Sequence, residues 1–130
     1  MKDLLTIIIP CRNESSYIKR TLYSISKQIG IKGTKIIIAD ANSTDTTLLE
    51  IDAARLLYDL NIEVIQGGPV AVGRNRGAYN SETPYLLFLD ADTELLSNDV
   101  ILNSLIQIKD GGYHLSTGKV KSTSPTIASK

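Results

Sequence analysis

The sequence predicts a doubly wound α/β domain, with a mainly parallel sheet and helices on both faces. Three observations carry this reading. Near-continuous apolar runs recur without polar alternation at residues 4–9, 35–39 and 85–89, the texture of strands covered on both faces. Between them the apolar period lengthens to that of a helix. The two kinds of segment also take turns along the chain, as they do where crossover helices join parallel strands.

In chain order, residues 4–9 (Leu-Leu-Thr-Ile-Ile-Ile) form the first strand, which Pro10 is expected to end. Ile18, Leu22, Ile25 and Ile29 fall at i, i+4, i+7 and i+11 and mark the first helix, with Asn13 or Ser15 as its cap. The second strand follows at 35–39. Leu49, Ala53, Leu56, Leu57 and Leu60 then form a second helical stripe, capped by Ser43 or Thr44. Residues 62–66 alternate and are placed nearer a sheet edge, while the Gly-rich residues 67–80 read as a short helix or a loop. The apolar run at 85–89 is a fourth strand, and Ile101, Leu105 and Ile108 give the last stripe. Beyond Gly112, residues 114–121 suit one more strand, whereas 122–130 are rich in Ser, Thr and Lys with no apolar face. The domain is taken as residues 1–121, followed at 122–130 by a tail or the start of a further region.

Composition narrows the function. A chain of 130 residues fits one domain with a sizeable core. Fourteen Lys plus Arg balance fourteen Asp plus Glu, so no global field draws the molecule onto nucleic acid or an anionic membrane. The single cysteine, Cys11, cannot form an internal disulfide, and the single histidine, His114, argues against a His/Cys zinc cluster and a Ser-His-Asp triad. Any metal would take oxygen ligands. No apolar stretch approaches the roughly 20 residues of a membrane span, and no charged region followed by a long apolar one opens the chain. A cytoplasmic location is the expectation.

Ligands of an open parallel sheet bind outside the carboxyl ends of its strands, and polar residues collect there. These are Pro10-Cys11-Arg12-Asn13-Glu14, the segment from Asp40 to Asp45, Gly67-Gly68-Pro69 leading to Arg74 and Arg76, and Asp90-Ala91-Asp92. Asp90 and Asp92, two apart, would point to one side of an extended chain. Such a pair is a hard oxygen site suited to Mg²⁺ or Mn²⁺, with positions left for phosphate and water; a turn or helix-capping acid is the other reading. Asp40 is placed either to accept a base N–H or to shape a capping turn, the role read for Ser43, Thr44 and Asp45. Arg74 can reach a diphosphate through its guanidinium, whereas Arg76 reads as solvated. Glu14 is either a ligand-contacting acid or a first-turn acid favouring the helix dipole. Cys11 reads as a small packed residue rather than a nucleophile.

The assembled pattern resembles the nucleotide-sugar-binding half of family 2 glycosyltransferases with the GT-A fold. The stretch from Thr6 to Glu14 is close to that family's "IIP-x-x-NE" opening, and Ile37 to Thr47 to its "VVD-x-x-STD-x-T". Val72 to Ala78 resembles "ARN-x-G", and Phe88 to Asp92 resembles "FLDAD". Ala41 stands where many relatives carry a second Asp, and Gly73 replaces the usual Ala. The resemblance implies a Rossmann-like GT-A domain, incomplete at its carboxyl end, that serves inverting transfer of a sugar from a nucleoside-diphosphate sugar, UDP favoured, to an acceptor hydroxyl. It places backbone at Pro10, with Glu14 and Asp40, at the nucleoside, Arg74 near the base or diphosphate, and Asp90 at the ribose or donor sugar beside the metal. Asp92 would hold Mn²⁺ or Mg²⁺. Family members continue into a region that binds the acceptor and supplies a carboxylate base, so this chain is expected to carry the donor and metal site only. A non-catalytic nucleotide-sugar-binding module is the main alternative. A receiver-like Mg²⁺-binding regulatory domain would need acids at the tips of the first and third strands, and a nucleotidyltransferase a Gly-rich loop after the first; neither pattern is present.

Overall fold

In the computed structural model, residues 1–111 are described. The strand expected at 114–121, the tail at 122–130 and His114 lie outside the described residues. Within them, strands and helices alternate as β1 (Leu5–Cys11), α1 (Ile18–Ser26), β2 (Lys35–Asp40), α2 (Thr47–Leu57), β3 (Asn61–Gln66), α3 (Val70–Tyr79), β4 (Tyr85–Phe88) and α4 (Val100–Gly111). The strands lie in the order β3-β2-β1-β4, and every pair is parallel. The chain steps outward from β1 through β2 to β3, then crosses back to lay β4 on the free side of β1. That return creates a switch point between β1 and β4, where an open α/β sheet leaves a crevice at its carboxyl ends.

Because side chains alternate along a strand, the register assigns faces. Thr6, Ile8 and Pro10 share one face with Ile37 and Ala39, and Ile7, Ile9 and Cys11 share the other with Ile36, Ile38 and Asp40. The second face packs against Ile18, Leu22 and Ile25 of α1, Ile51 and Ala54 of α2, and Ile101 of α4. Each large aliphatic side chain fully buried here contributes about 1.5–3 kcal/mol by leaving water. The first face is covered by α3, whose Gly73 and Gly77 lie one turn apart against the sheet. A Cβ on Gly73 would sit 3.3 Å from Pro10 Cβ, and one on Gly77 would overlap Ile8 Cγ2. Helices thus cover both faces, as expected.

Packing corrects several details. β1 continues through Pro10 to Cys11. The Ile8 carbonyl accepts Leu89 N–H on the β4 side and the Cys11 carbonyl accepts Ala41 N–H on the β2 side. By alternation Pro10 faces the β4 side, where pairing has already ended at Phe88, so its missing N–H breaks no ladder bond. Ile29 is not on the α1 stripe, because the helix ends at Ser26 and Ile29 is exposed. In α2 the stripe lies on the opposite side from the one expected. Leu49, Ala53, Leu56 and Leu57 are exposed, while Thr47, Ile51 and Ala54 are buried; Leu60, beyond the helix, is buried as expected. Neither α1 nor α2 has a side-chain cap; their N-cap positions are Tyr17 and Thr46. β4 is an edge strand among the described residues, with Leu86 and Phe88 exposed on the α3 face while Tyr85 and Leu87 pack on the core. Among the described residues β3 forms the other edge, as its alternation implied.

Candidate functional site

The crevice is built from loops tied to one another. Asn13 takes a left-handed φ of 50°, which Asn tolerates. Its Oδ1 accepts Thr44 N–H at 2.7 Å, and its own N–H donates to Ser43 Oγ at 2.9 Å. Glu14 N–H donates to Thr47 Oγ1 at 2.9 Å and Ser15 N–H to Asp45 Oδ2 at 3.3 Å. The residues expected to cap two helices instead lock the β1–α1 loop onto the β2–α2 loop. The Glu14 carbonyl accepts the N–H groups of Tyr17 and Ile18, so main chain starts α1.

Asp40, buried at the end of β2, accepts Ser43 N–H on Oδ2 at 3.0 Å and Ser43 Oγ–H on Oδ1 at 2.5 Å. It shapes the turn, and each oxygen keeps a further lone pair. Beside it, burial first and then the carboxylates of Asp40, Glu14 and Asp45 push the Cys11 thiol up to about 12 from its ordinary 9.0. At neutral pH Cys11 is a packed thiol, as expected.

On the other side of the switch point, Thr93 N–H bonds the Asp90 carbonyl at 3.1 Å, so Asp90 and Asp92 ride on a turn rather than on extended chain. Ala91 is buried between them and both carboxylates are exposed. The turn reading therefore holds, and it leaves both carboxylates accessible. Arg74 Nη2 on α3 lies 3.3 Å from Asp90 Oδ1, a half-exposed pair worth about 0–1 kcal/mol. Arg76 is exposed, as read, and also donates from Nη1 to the Gly67 carbonyl at 2.9 Å, clasping the loop before α3. In that loop Gly67 N–H bonds the Asp40 carbonyl, and a Cβ on Gly67 would come within 2.5 Å of the Ala39 carbonyl oxygen.

These elements line an open crevice of about 640 Å³ at the β1–β4 switch point. Of the residues singled out from sequence, Pro10, Glu14, Arg74, Asp90 and Asp92 line it. Asp40 does not; it lines a shallower groove that shares Asn42 with the cavity. Arg12, Asn42 and the Gly68-Pro69-Val70 start of α3 also line the cavity and were not assigned roles from sequence. The position of Gly68-Pro69 after a strand and before a helix was the available signal. The N-terminus of α3 has no side-chain cap and brings the positive end of its dipole to the cavity.

The donor set fits a divalent cation shared with a ligand. Among the described residues no three His, Cys, Asp or Glu side chains gather closely enough to hold an ion. Two exposed carboxylates on one turn leave coordination positions open, as Mg²⁺ and Mn²⁺ require when phosphate oxygens complete their shell.

Comparison with known proteins agrees with this architecture. The family model described as glycosyl transferase family 2 matches residues 6–126. A Staphylococcus epidermidis protein named teichoic acid poly(glycerol phosphate) polymerase is 41% identical over 96 residues, covering 72% of this chain and 13% of that protein. A Campylobacter jejuni GalNAc(5)-diNAcBac-PP-undecaprenol beta-1,3-glucosyltransferase is 34% identical over 84% of this chain and 35% of its own length. The crystal structure of S. aureus TarS 1-349 in complex with UDP-GlcNAc superposes with a TM-score of 0.70 at 30% identity, over 83% of this chain and 31% of that one. The chain thus spans about a third or less of these relatives. No helix among the described residues is long and apolar enough to cross a membrane.

Proposed function

The chain belongs to glycosyl transferase family 2 and has a GT-A type fold, and on that premise we propose that its crevice binds a nucleoside-diphosphate sugar for inverting transfer to an acceptor hydroxyl. The observation that carries this is the convergence of Glu14, Arg74, Asp90 and Asp92 on one cavity at the β1–β4 switch point. UDP is the favoured nucleotide, a preference supported by the UDP-GlcNAc bound to the similar TarS structure.

Backbone at Pro10, Glu14 and Asp40 would hold the nucleoside, with Asp40 offering its remaining lone pairs to a base N–H while Ser43 fixes the carboxylate. Arg74 would exchange its weak pairing with Asp90 for a bidentate grip on the diphosphate. Asp90 would then be free for the ribose or donor sugar beside the metal, and Asp92 would hold Mn²⁺ or Mg²⁺. A bound divalent cation supplies Lewis-acid stabilisation of the negative charge that gathers on the departing diphosphate. In an inverting displacement the acceptor oxygen attacks the anomeric carbon, the bond to the phosphate oxygen breaks, and a carboxylate takes the acceptor proton.

One observation favours a second reading, a module that binds donor without transferring sugar. The carboxylates among the described residues lining the cavity are Glu14, Asp90 and Asp92, each already assigned to binding. Titration calorimetry with UDP, GDP and ADP, with and without Mn²⁺, tests the donor site. UDP should bind more tightly with Mn²⁺, and Asp92→Ala should abolish that gain while sparing the metal-free affinity. No binding of any nucleoside diphosphate in either condition overturns the proposal. Incubation with UDP-sugar and an acceptor panel separates transfer from binding alone.

A further inference from the structure

The irregular segment from Asp90 to Asp99 is held by α1. On that helix Thr21, Ser24 and Gln28 form a polar stripe at i, i+3 and i+7, and all three are at least nine-tenths buried. Buried polar groups need partners, and these find theirs about seventy residues away. Thr21 Oγ1 donates to the Ala91 carbonyl at 2.8 Å, and Ser24 Oγ accepts Leu95 N–H at 3.0 Å. Gln28 Nε2 donates to the Ser97 carbonyl at 2.5 Å, while its Oε1 accepts Ile101 N–H at 3.1 Å. The stripe supplies what a neighbouring strand would otherwise give this stretch of backbone.

The first rung falls on the residue between the two exposed carboxylates. Ala91 has its carbonyl held by Thr21 and its methyl seated in the core cluster, so the peptide carrying Asp90 and Asp92 is fixed at its centre. Two adjacent carboxylates repel, and without that anchor the turn has few bonds of its own to oppose their separation.

We propose that Thr21, backed by Ser24 and Gln28, is a positioning residue that presets Asp90 and Asp92 to share a divalent cation with a nucleoside diphosphate. This rests on the donor-site reading above. Thr21 touches neither ligand; it acts through the Ala91 carbonyl.

The test uses the full chain, with UDP affinity measured calorimetrically in Mn²⁺ and in EDTA, and the thermal midpoint recorded for each variant. Thr21→Val keeps the shape and removes the donor. It should weaken binding in Mn²⁺ by about tenfold, the lower end of losses seen when groups supporting metal ligands are removed, and leave the EDTA affinity unchanged. Thr21→Ser, which restores the hydroxyl, should recover the Mn²⁺ gain. Equal loss in both conditions, or no loss, overturns the positioning role. If Thr21→Val does not fold, Ser24→Ala decides, since an unchanged ratio of Mn²⁺ to EDTA affinity in that variant also overturns it. A wild-type chain that binds UDP without any Mn²⁺ gain refutes the metal site itself, and the positioning role falls with it.

Discussion

Asp45 shows how neighbours hold an exposed carboxylate ionised. The Thr47 hydroxyl donates to its Oδ1 at 2.5 Å and Thr47 N–H to the same oxygen at 2.9 Å, with Ser15 N–H on the other oxygen. The Thr47 hydroxyl is the largest influence, and together they lower the pKa to about 2 from the ordinary 3.8. A folded-state value below the unfolded one adds stability above about pH 3.8 that is lost as pH falls through about 2. Asp45→Asn keeps an acceptor for Thr47 but not the charge, so its thermal midpoint should fall less steeply than wild type between those limits. Parallel midpoint curves would contradict that account. At this scale the residue types of the site were legible but their partners were not. A carboxylate at a strand tip could be read from sequence at Asp40; that Ser43 occupies both its oxygens depends on a turn only folding supplies. Arg76 is exposed as read, but its bond was hidden for the same reason, since the acceptor is a loop carbonyl nine residues back.

At the scale of elements, α2 and α3 show what periodicity omits. α2 carries apolar side chains on two arcs about half a turn apart, with Glu50, Asp52 and Arg55 between them. The arc centred on Ile51 is chosen, with the small Thr47 and Ala54 flanking it, and Ile51 and Ala54 join the core cluster with α1 and the sheet. The opposite happens in α3, where two glycines set the approach to the sheet and no apolar stripe exists to be read. Its closeness is a testable constraint. Gly77→Ala should destabilise the chain by about 1–3 kcal/mol, because the methyl must displace Ile8. Gly73→Ala should cost less, since its Cβ would meet Pro10 at 3.3 Å and helix propensity improves by up to about 1 kcal/mol. Urea unfolding of both variants measures the difference, and equal stabilities would refute the close packing at Gly77.

For the whole molecule, the alternation of runs was enough to read a parallel sheet, and most of the polar residues singled out after the strands line the crevice at its switch point. Sequence order alone did not show that β4 lies beside β1, because an apolar run carries no label for its neighbour. That placement joins distant parts of the chain. β1 pairs with β2 across about thirty residues but with β4 across eighty, as in Leu5 with Tyr85. Loop closure becomes less favourable with length, so β4 and the turn after it should dock late in folding and detach first. Native-state amide exchange should therefore find a sub-global opening that frees Leu86 to Leu89 while β1 to β3 stay protected; uniform protection of all four strands would contradict it. The crevice then lies along the seam at which the molecule parts. A ligand gripping both β1 and β4 acts as a clasp, raising the free energy of that opening by RT ln(1 + [L]/Kd), so occupancy of the site can be read from how slowly the seam breathes.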